Sequence, residues 1–223
     1  KNGAGKTTML RCLANLEKGW TGDISFEKGG PKPSLPLHKW AAHVLYSFQN
    51  PDDQLFLPTV KEELLETARR TGKDMDEAKK RMDTLVERFA LARRLEESPL
   101  NLSYPLRRIV TILSSFIAAP PVLLLDEPTA VLDLKNTRLL IETIIEYRAS
   151  GGIMLLITHD YEFLSEIADD IVFLEDGKLV SKVSHEVGFE IWPITEAPIL
   201  FQLVSKFGLG NTIWSRGDRK SVV

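Results

Sequence analysis

The 223 residues carry a formal net charge of −3, 43% hydrophobic side chains and one cysteine, Cys12. That length suits one domain, or one domain with a small annex, and the apolar content is enough for a sizeable core. The charge balance supplies no global field toward nucleic acid or acidic lipid, a single cysteine excludes an intrachain disulfide, and no apolar run approaches the ~20 residues that span a bilayer.

The chain opens on Lys1-Asn2-Gly3-Ala4-Gly5-Lys6-Thr7-Thr8. This fits G-x-x-x-x-G-K-[ST] from its second position, a loop whose glycines let successive N–H groups point at phosphate oxygens. Lys6 is placed to reach β- and γ-phosphates, Thr7 to offer its hydroxyl to Mg²⁺, and Thr8 to bind a phosphate nearer the sugar. The first Gly of the motif and the strand that feeds it fall before Lys1. That strand is expected in the centre of the sheet, beside residues 122–126, and without it the written chain is expected to fold poorly and to bind nucleotide weakly.

Residues 7–16 predict a helix with Met9, Leu10, Leu13 and Leu16 on its apolar face. Glycines and prolines then punctuate short pieces such as a strand over 23–26. Residues 44–48 form an apolar strand, followed by the polar turn Gln49-Asn50-Pro51-Asp52-Asp53. From 60 to about 116 helix formers dominate. Asp74 with Glu77 three positions on marks a helix start, after which Ala78, Met82, Leu85, Val86 and Phe89 share a face.

Residues 122–125 are unbroken apolar and end in Asp126-Glu127, the pattern of a strand buried on both sides. Helix follows over 135–148, closed by Gly151-Gly152, then buried strands over 153–157 and 171–174. Strand alternating with helix predicts an α/β domain with a mostly parallel sheet. After about residue 185 the pattern weakens, and 199–207 suggests part of a small C-terminal annex.

Two adjacent acids at a strand end would repel each other unless a cation lies between them. Asp126 is therefore read as holding Mg²⁺ directly or through water, and Glu127 as polarising an attacking water from about 3 Å away. His159 also ends a strand, and is read as a donor to the γ-phosphate or to that water. His38, His43 and His185 lack such a context.

In their order and spacing these motifs resemble the nucleotide-binding domain of an ABC transporter, from Lys1 to about Lys182. The resemblance implies a P-loop NTPase over 1–185, with a helical subdomain at about 60–116 and an annex at 186–223. It implies ATP and Mg²⁺ as ligands. Asn2, Gly3, Ala4, Gly5, Lys6, Thr7 and Thr8 match the Walker A loop, Asp126 and Glu127 the Walker B end, Ala130-Val131-Leu132-Asp133 the D-loop, and His159 the switch histidine. Gln49 matches the Q-loop glutamine, which senses Mg²⁺ and the γ-phosphate, so Thr7, Gln49 and Asp126 are the expected metal contacts and Glu127, His159 and Gln49 the expected catalytic ones.

The string Phe48-Gln49-Asn50-Pro51-Asp52-Asp53-Gln54-Leu55-Phe56 and the segment from Pro198 are similar to energy-coupling factor ATPases, which drive uptake of vitamins or of cobalt and nickel ions. The likeness implies a transmembrane partner docked at Gln49–Phe56, with Asp52, Asp53 and Phe56 as candidate contacts. It places the chain at the cytoplasmic face of a membrane and implies no nucleic acid.

One motif departs from the family. The signature Leu-Ser-Gly-Gly-Gln is here Leu102-Ser103-Tyr104-Pro105-Leu106. Tyr104 adds bulk and Pro105 removes an N–H donor where the family brings backbone close to the facing subunit's ATP. Ser103 is expected to cap the next helix and offer its hydroxyl to that nucleotide. A heterodimer is therefore expected, with the second ATP-binding subunit supplying an intact signature. The alternative is a regulatory subunit that binds ATP and hydrolyses little.

Overall fold

The computed structural model describes residues 5–22, 24, 34–175, 177–184 and 199–203. Helix α1 (Lys6–Leu13) begins directly after Gly5, whose φ of 88° lies in the left-handed region open to glycine. Leu10 is buried beneath it, with Met9, Leu13 and Leu16 packed alongside, as the sequence predicts. A short helix, α2 (Leu37–Trp40), follows, and the Trp40 indole N–H donates to Leu13 O at 2.9 Å, closing the end of α1.

Strands β1 (Val44–Ser47), β2 (Val122–Asp126) and β3 (Ile153–Ile157) are parallel neighbours. Side chains on β2 alternate between two cores. Leu123 and Leu125 join the helical side, whereas Leu124 packs with Leu10, Trp40 and Val44. Both faces are covered, which is why the run reads as continuously apolar. Beyond β3 the sheet continues with β4 (Asp170–Glu175) and the antiparallel β5 (Lys178–Ser184).

Strand β6 (Ile199–Leu203) runs antiparallel between β3 and β4, giving the order β1-β2-β3-β6-β4-β5. The sequence expectation of a further strand beside β2 is corrected here, because β1 and β3 occupy both of its edges. The predicted strand over 23–26, and the annex outside β6, fall outside the described residues, as do Asn2, Gly3 and Ala4.

The helical portion is α3 (Val60–Arg70), α4 (Met75–Arg88) and α5 (Tyr104–Ala118). Thr59 caps α3 by accepting from Glu62 N, and the Asp74 carboxylate accepts from the N–H groups of Asp76 and Glu77 to start α4. Ala78, Met82, Leu85 and Val86 face inward from α4. Helix α5 is buried along almost its whole length and runs from this portion back to the sheet.

Helix α6 (Leu134–Ala149) then packs Leu140, Ile144 and Tyr147 inward. Its exit needs glycine, since a Cβ on Gly152 would lie 2.4 Å from the Tyr147 ring. Helix α7 (Tyr161–Ile167) connects β3 to β4, its start capped by Asp160, whose carboxylate accepts from Phe163 N.

Candidate nucleotide site

The C-terminal ends of β1, β2 and β3 lie side by side, the edge at which parallel sheets gather their ligands. Asp126 is the last residue of β2 and is 1% exposed. Its Oδ2 accepts from the Tyr46 hydroxyl on β1 at 3.0 Å. Burial beside this carboxylate pushes the Tyr46 phenol well above its ordinary range, so it remains a donor.

Glu127 follows in left-handed backbone at φ 48°, a conformation that costs a non-glycine residue on the order of 1–2 kcal/mol. The turn is held by Glu127 N donating to Ile157 O at 2.8 Å. This conformation sends the carboxylate across to the end of β3. There Oε1 lies 3.2 Å from His159 Nε2, and Oε2 accepts His159 N–H at 3.3 Å. Burial, with the Asp126 charge adding to it, raises the Glu127 carboxyl to about 7. Burial and the Lys6 charge lower His159. Near neutral pH the imidazole is therefore uncharged, and its contact with Glu127 is a hydrogen bond rather than an ion pair.

Lys6, the first residue of α1, is 8% exposed. Its Nζ is buried and has no hydrogen-bond partner among the described residues. Burial lowers its pKa, while Glu127 and Asp126 act to raise it, so the ammonium and both carboxylates share one electrostatic environment. A buried ammonium left without a partner is costly unless something completes its shell, and phosphate oxygens suit it.

Thr7 and Thr8 are exposed at the start of α1, where free N–H groups and the helix dipole favour an anion. Among the described residues no group of three or more His, Cys, Asp or Glu side chains is arranged to hold a metal unaided. The donors present, the Asp126 carboxylate and the Thr7 hydroxyl, are hard oxygen groups of the kind Mg²⁺ takes together with substrate phosphates and water. Lys6, Asp126, Glu127 and His159 are thus brought together.

Gln49 is exposed just past β1, whose last residue Ser47 pairs with Leu125. The Asp133 carboxylate caps α6, accepting from Asn136 N at 2.7 Å. Ser103 occupies the cap position of α5, but its hydroxyl makes no capping bond, contrary to the sequence expectation. Pro105, two residues on, lacks one of the two N–H groups that such a bond could use.

The sequence reading missed Tyr46 and Arg108. Arg108, on α5, is 1% exposed and donates to Phe48 O, to Asp126 O at 2.6 Å and to Glu127 O at 3.4 Å. No local signal marks it, since Arg108 directly follows the partly exposed Arg107 near the start of α5.

In the segment following Gln49, Asp52 pairs with Arg107 at 3.1 Å, and Phe56 is 61% exposed beneath the Arg70 guanidinium. No helix among the described residues is long and apolar enough to cross a membrane.

A family model described as "ABC transporter" matches residues 1–130. The energy-coupling factor transporter ATP-binding protein EcfA1 of Thermotoga maritima is 34% identical over 215 residues, covering 96% of this chain and 80% of that protein. A solved ATP-binding subunit of an ABC transporter superposes with a TM-score of 0.77 at 26% identity, covering 89% of this chain and 81% of that one. The cbiO1 protein of Clostridium perfringens, part of the ABC transporter complex cbiONQ, superposes at 0.70 with 25% identity, covering 87% and 78%.

Proposed function

The chain belongs to the ABC transporter family of ATP-binding proteins, and on that premise we propose that it is the ATP-hydrolysing subunit of an energy-coupling factor type importer. The observation that carries this reading is the buried Lys6 ammonium, without a partner among the described residues, beside Asp126 and Glu127, with His159 closing the far side.

Lys6 and the N–H groups of α1 bind and orient the β- and γ-phosphates. Asp126, held by Tyr46, the Thr7 hydroxyl and Gln49, just past β1, are the residues that would hold Mg²⁺. Mg²⁺, when bound, neutralises charge on the phosphate oxygens. Glu127 accepts a hydrogen bond from the water in line with the γ-phosphate and takes up its proton. His159 holds Glu127 in place through two contacts and presents its imidazole to the γ-phosphate side.

The subfamily assignment is supported by residues 48–56 and by the EcfA1 likeness. Vitamins or cobalt and nickel ions are the proposed cargo class, recognised by other subunits. The surface around Asp52, Asp53 and Phe56 is the proposed dock for a transmembrane partner, which would hold the chain at the cytoplasmic face. A second ATP-binding subunit completes the site from outside, in a heterodimer. The start of α5, with Tyr104, Pro105 and an uncapped Ser103, favours a partner that brings its own intact signature.

The same observation favours a second reading, a regulatory subunit with little hydrolysis of its own. Titrating the chain with a second ATPase subunit that carries an intact signature separates the two. Turnover that requires Glu127 of this chain supports the catalytic reading, and turnover indifferent to Glu127 supports the regulatory one.

A further inference from the structure

Three backbone carbonyls from two separate loops converge on one buried side chain. Arg108 projects from the first turns of α5 and is almost fully enclosed. Its Nη1 donates to Phe48 O, directly before Gln49, and its Nη2 donates to Asp126 O and, more loosely, to Glu127 O. Among the described residues no carboxylate forms an ion pair with it; its hydrogen-bond acceptors are neutral carbonyls, with the Asp126 and Glu127 charges acting from further off. A buried guanidinium is expensive, and burial holds it below its ordinary value, at about 10, so it still carries its charge at neutral pH. The planar fork suits this task, because its donors diverge in one plane and reach separate loops at once.

The neighbouring residue adds a second tie from the same helix. Arg107 pairs with Asp52 at 3.1 Å, four residues beyond Phe48. Helix α5 therefore grips the 48–52 segment on both sides of Gln49. Through Arg108 alone it also grips the turn whose left-handed residue aims the Glu127 carboxylate.

We propose that Arg108 is a positioning residue that joins the Gln49 loop to the Asp126–Glu127 turn, so that a displacement of either loop, or of α5, is transmitted to the other. It touches no reacting atom; it acts through the backbone of residues that do. Movement of the 49–56 segment would then reach Glu127 through this side chain, in addition to the β1–β2 ladder and the Tyr46–Asp126 bond. This coupling rests on the catalytic reading of Glu127, but the tie between the loops is measurable without it.

The test is amide hydrogen exchange on the full chain, comparing wild type with Arg108→Met, which keeps an unbranched apolar stem and loses every donor. Exchange at residues 48–50 and at 126 and 127 is expected to rise together by roughly tenfold, with α1 and α6 unchanged. Turnover is expected to fall at least tenfold while KM for ATP stays within about threefold, and Arg108→Lys, which retains one charged donor, to recover part of both effects. A rise in one loop only, a uniform rise along α5 and its apolar neighbours, or no rise would overturn the proposal. If Arg108→Met does not fold, Arg108→Lys is read by the same exchange criteria. Paired loosening of the loops alongside a Glu127→Gln variant of normal turnover would uphold the tie and remove the catalytic reading instead.

Discussion

Glu127 turns both carboxylate oxygens toward His159, one 3.2 Å from the imidazole Nε2 and the other accepting the backbone N–H at 3.3 Å. The left-handed backbone at Glu127 makes this pairing possible. An extended residue at the end of β2 would continue the strand direction instead of crossing to β3.

Burial raises Glu127 to about 7, so this pair predicts a pH profile. Its base form is depleted below pH 7, and turnover should fall about tenfold per unit on the acid side. Stability should move the opposite way. A carboxyl raised from its ordinary 4.5 binds its proton more tightly when folded, so the fold loses stability as pH rises from about 4.5 to about 7. Glu127→Gln should remove this slope and gain on the order of 1–3 kcal/mol at pH 8 in urea unfolding.

Lys6 carries a similar conflict between stability and ligand binding. Lys6→Met should leave the nucleotide-free melting temperature equal or a few degrees higher, because a buried ammonium without a partner among the described residues is removed. The same variant should lose the thermal stabilisation that Mg²⁺-ATP gives the unaltered chain. Scanning fluorimetry with and without Mg²⁺-ATP reads both effects.

Tyr46 positions the carboxylate of Asp126. In Tyr46→Phe that buried oxygen loses its donor, at an expected cost of about 1–2 kcal/mol in stability. The Mg²⁺ concentration for half-maximal ATP binding should rise about tenfold. A Mg²⁺ titration of fluorescent-nucleotide binding measures it.

Replacing Tyr104-Pro105-Leu106 by Gly-Gly-Gln should restore close backbone approach at the start of α5. If those residues alone impair that surface, the triple variant should hydrolyse ATP without a second kind of subunit, at least roughly tenfold faster than the parent chain. Steady-state phosphate release by each purified chain is the check.

Much of this architecture is legible in the sequence because it rests on local periodicity. The alternation of Leu123, Leu124 and Leu125, the Asp74 cap and the inward face of α4 each follow from a repeat or a terminus signal. The acidic pair at the end of β2 and the histidine at the end of β3 are legible for the same reason. Tyr46 and Arg108 are not, since their partners lie 80 and 18 to 60 residues away and no short spacing encodes them. The left-handed Glu127 is also invisible, because nothing in a Glu-Pro dipeptide requires it. Ser103 misleads in the other direction: the cap residue is present, but Pro105 removes one N–H it would bind. The place of β6 between β3 and β4 depends on a non-local pairing that a short apolar run does not specify.

The central claim, one nucleotide site built from Lys6, Asp126, Glu127 and His159, is tested most directly by comparing ATP binding and single-turnover hydrolysis in the same Glu127→Gln preparation, assembled with its partner subunits. The account predicts ATP affinity within about threefold of the unaltered chain and a hydrolysis rate lower by roughly 10²–10³. Unchanged hydrolysis, or loss of binding together with hydrolysis, would contradict it.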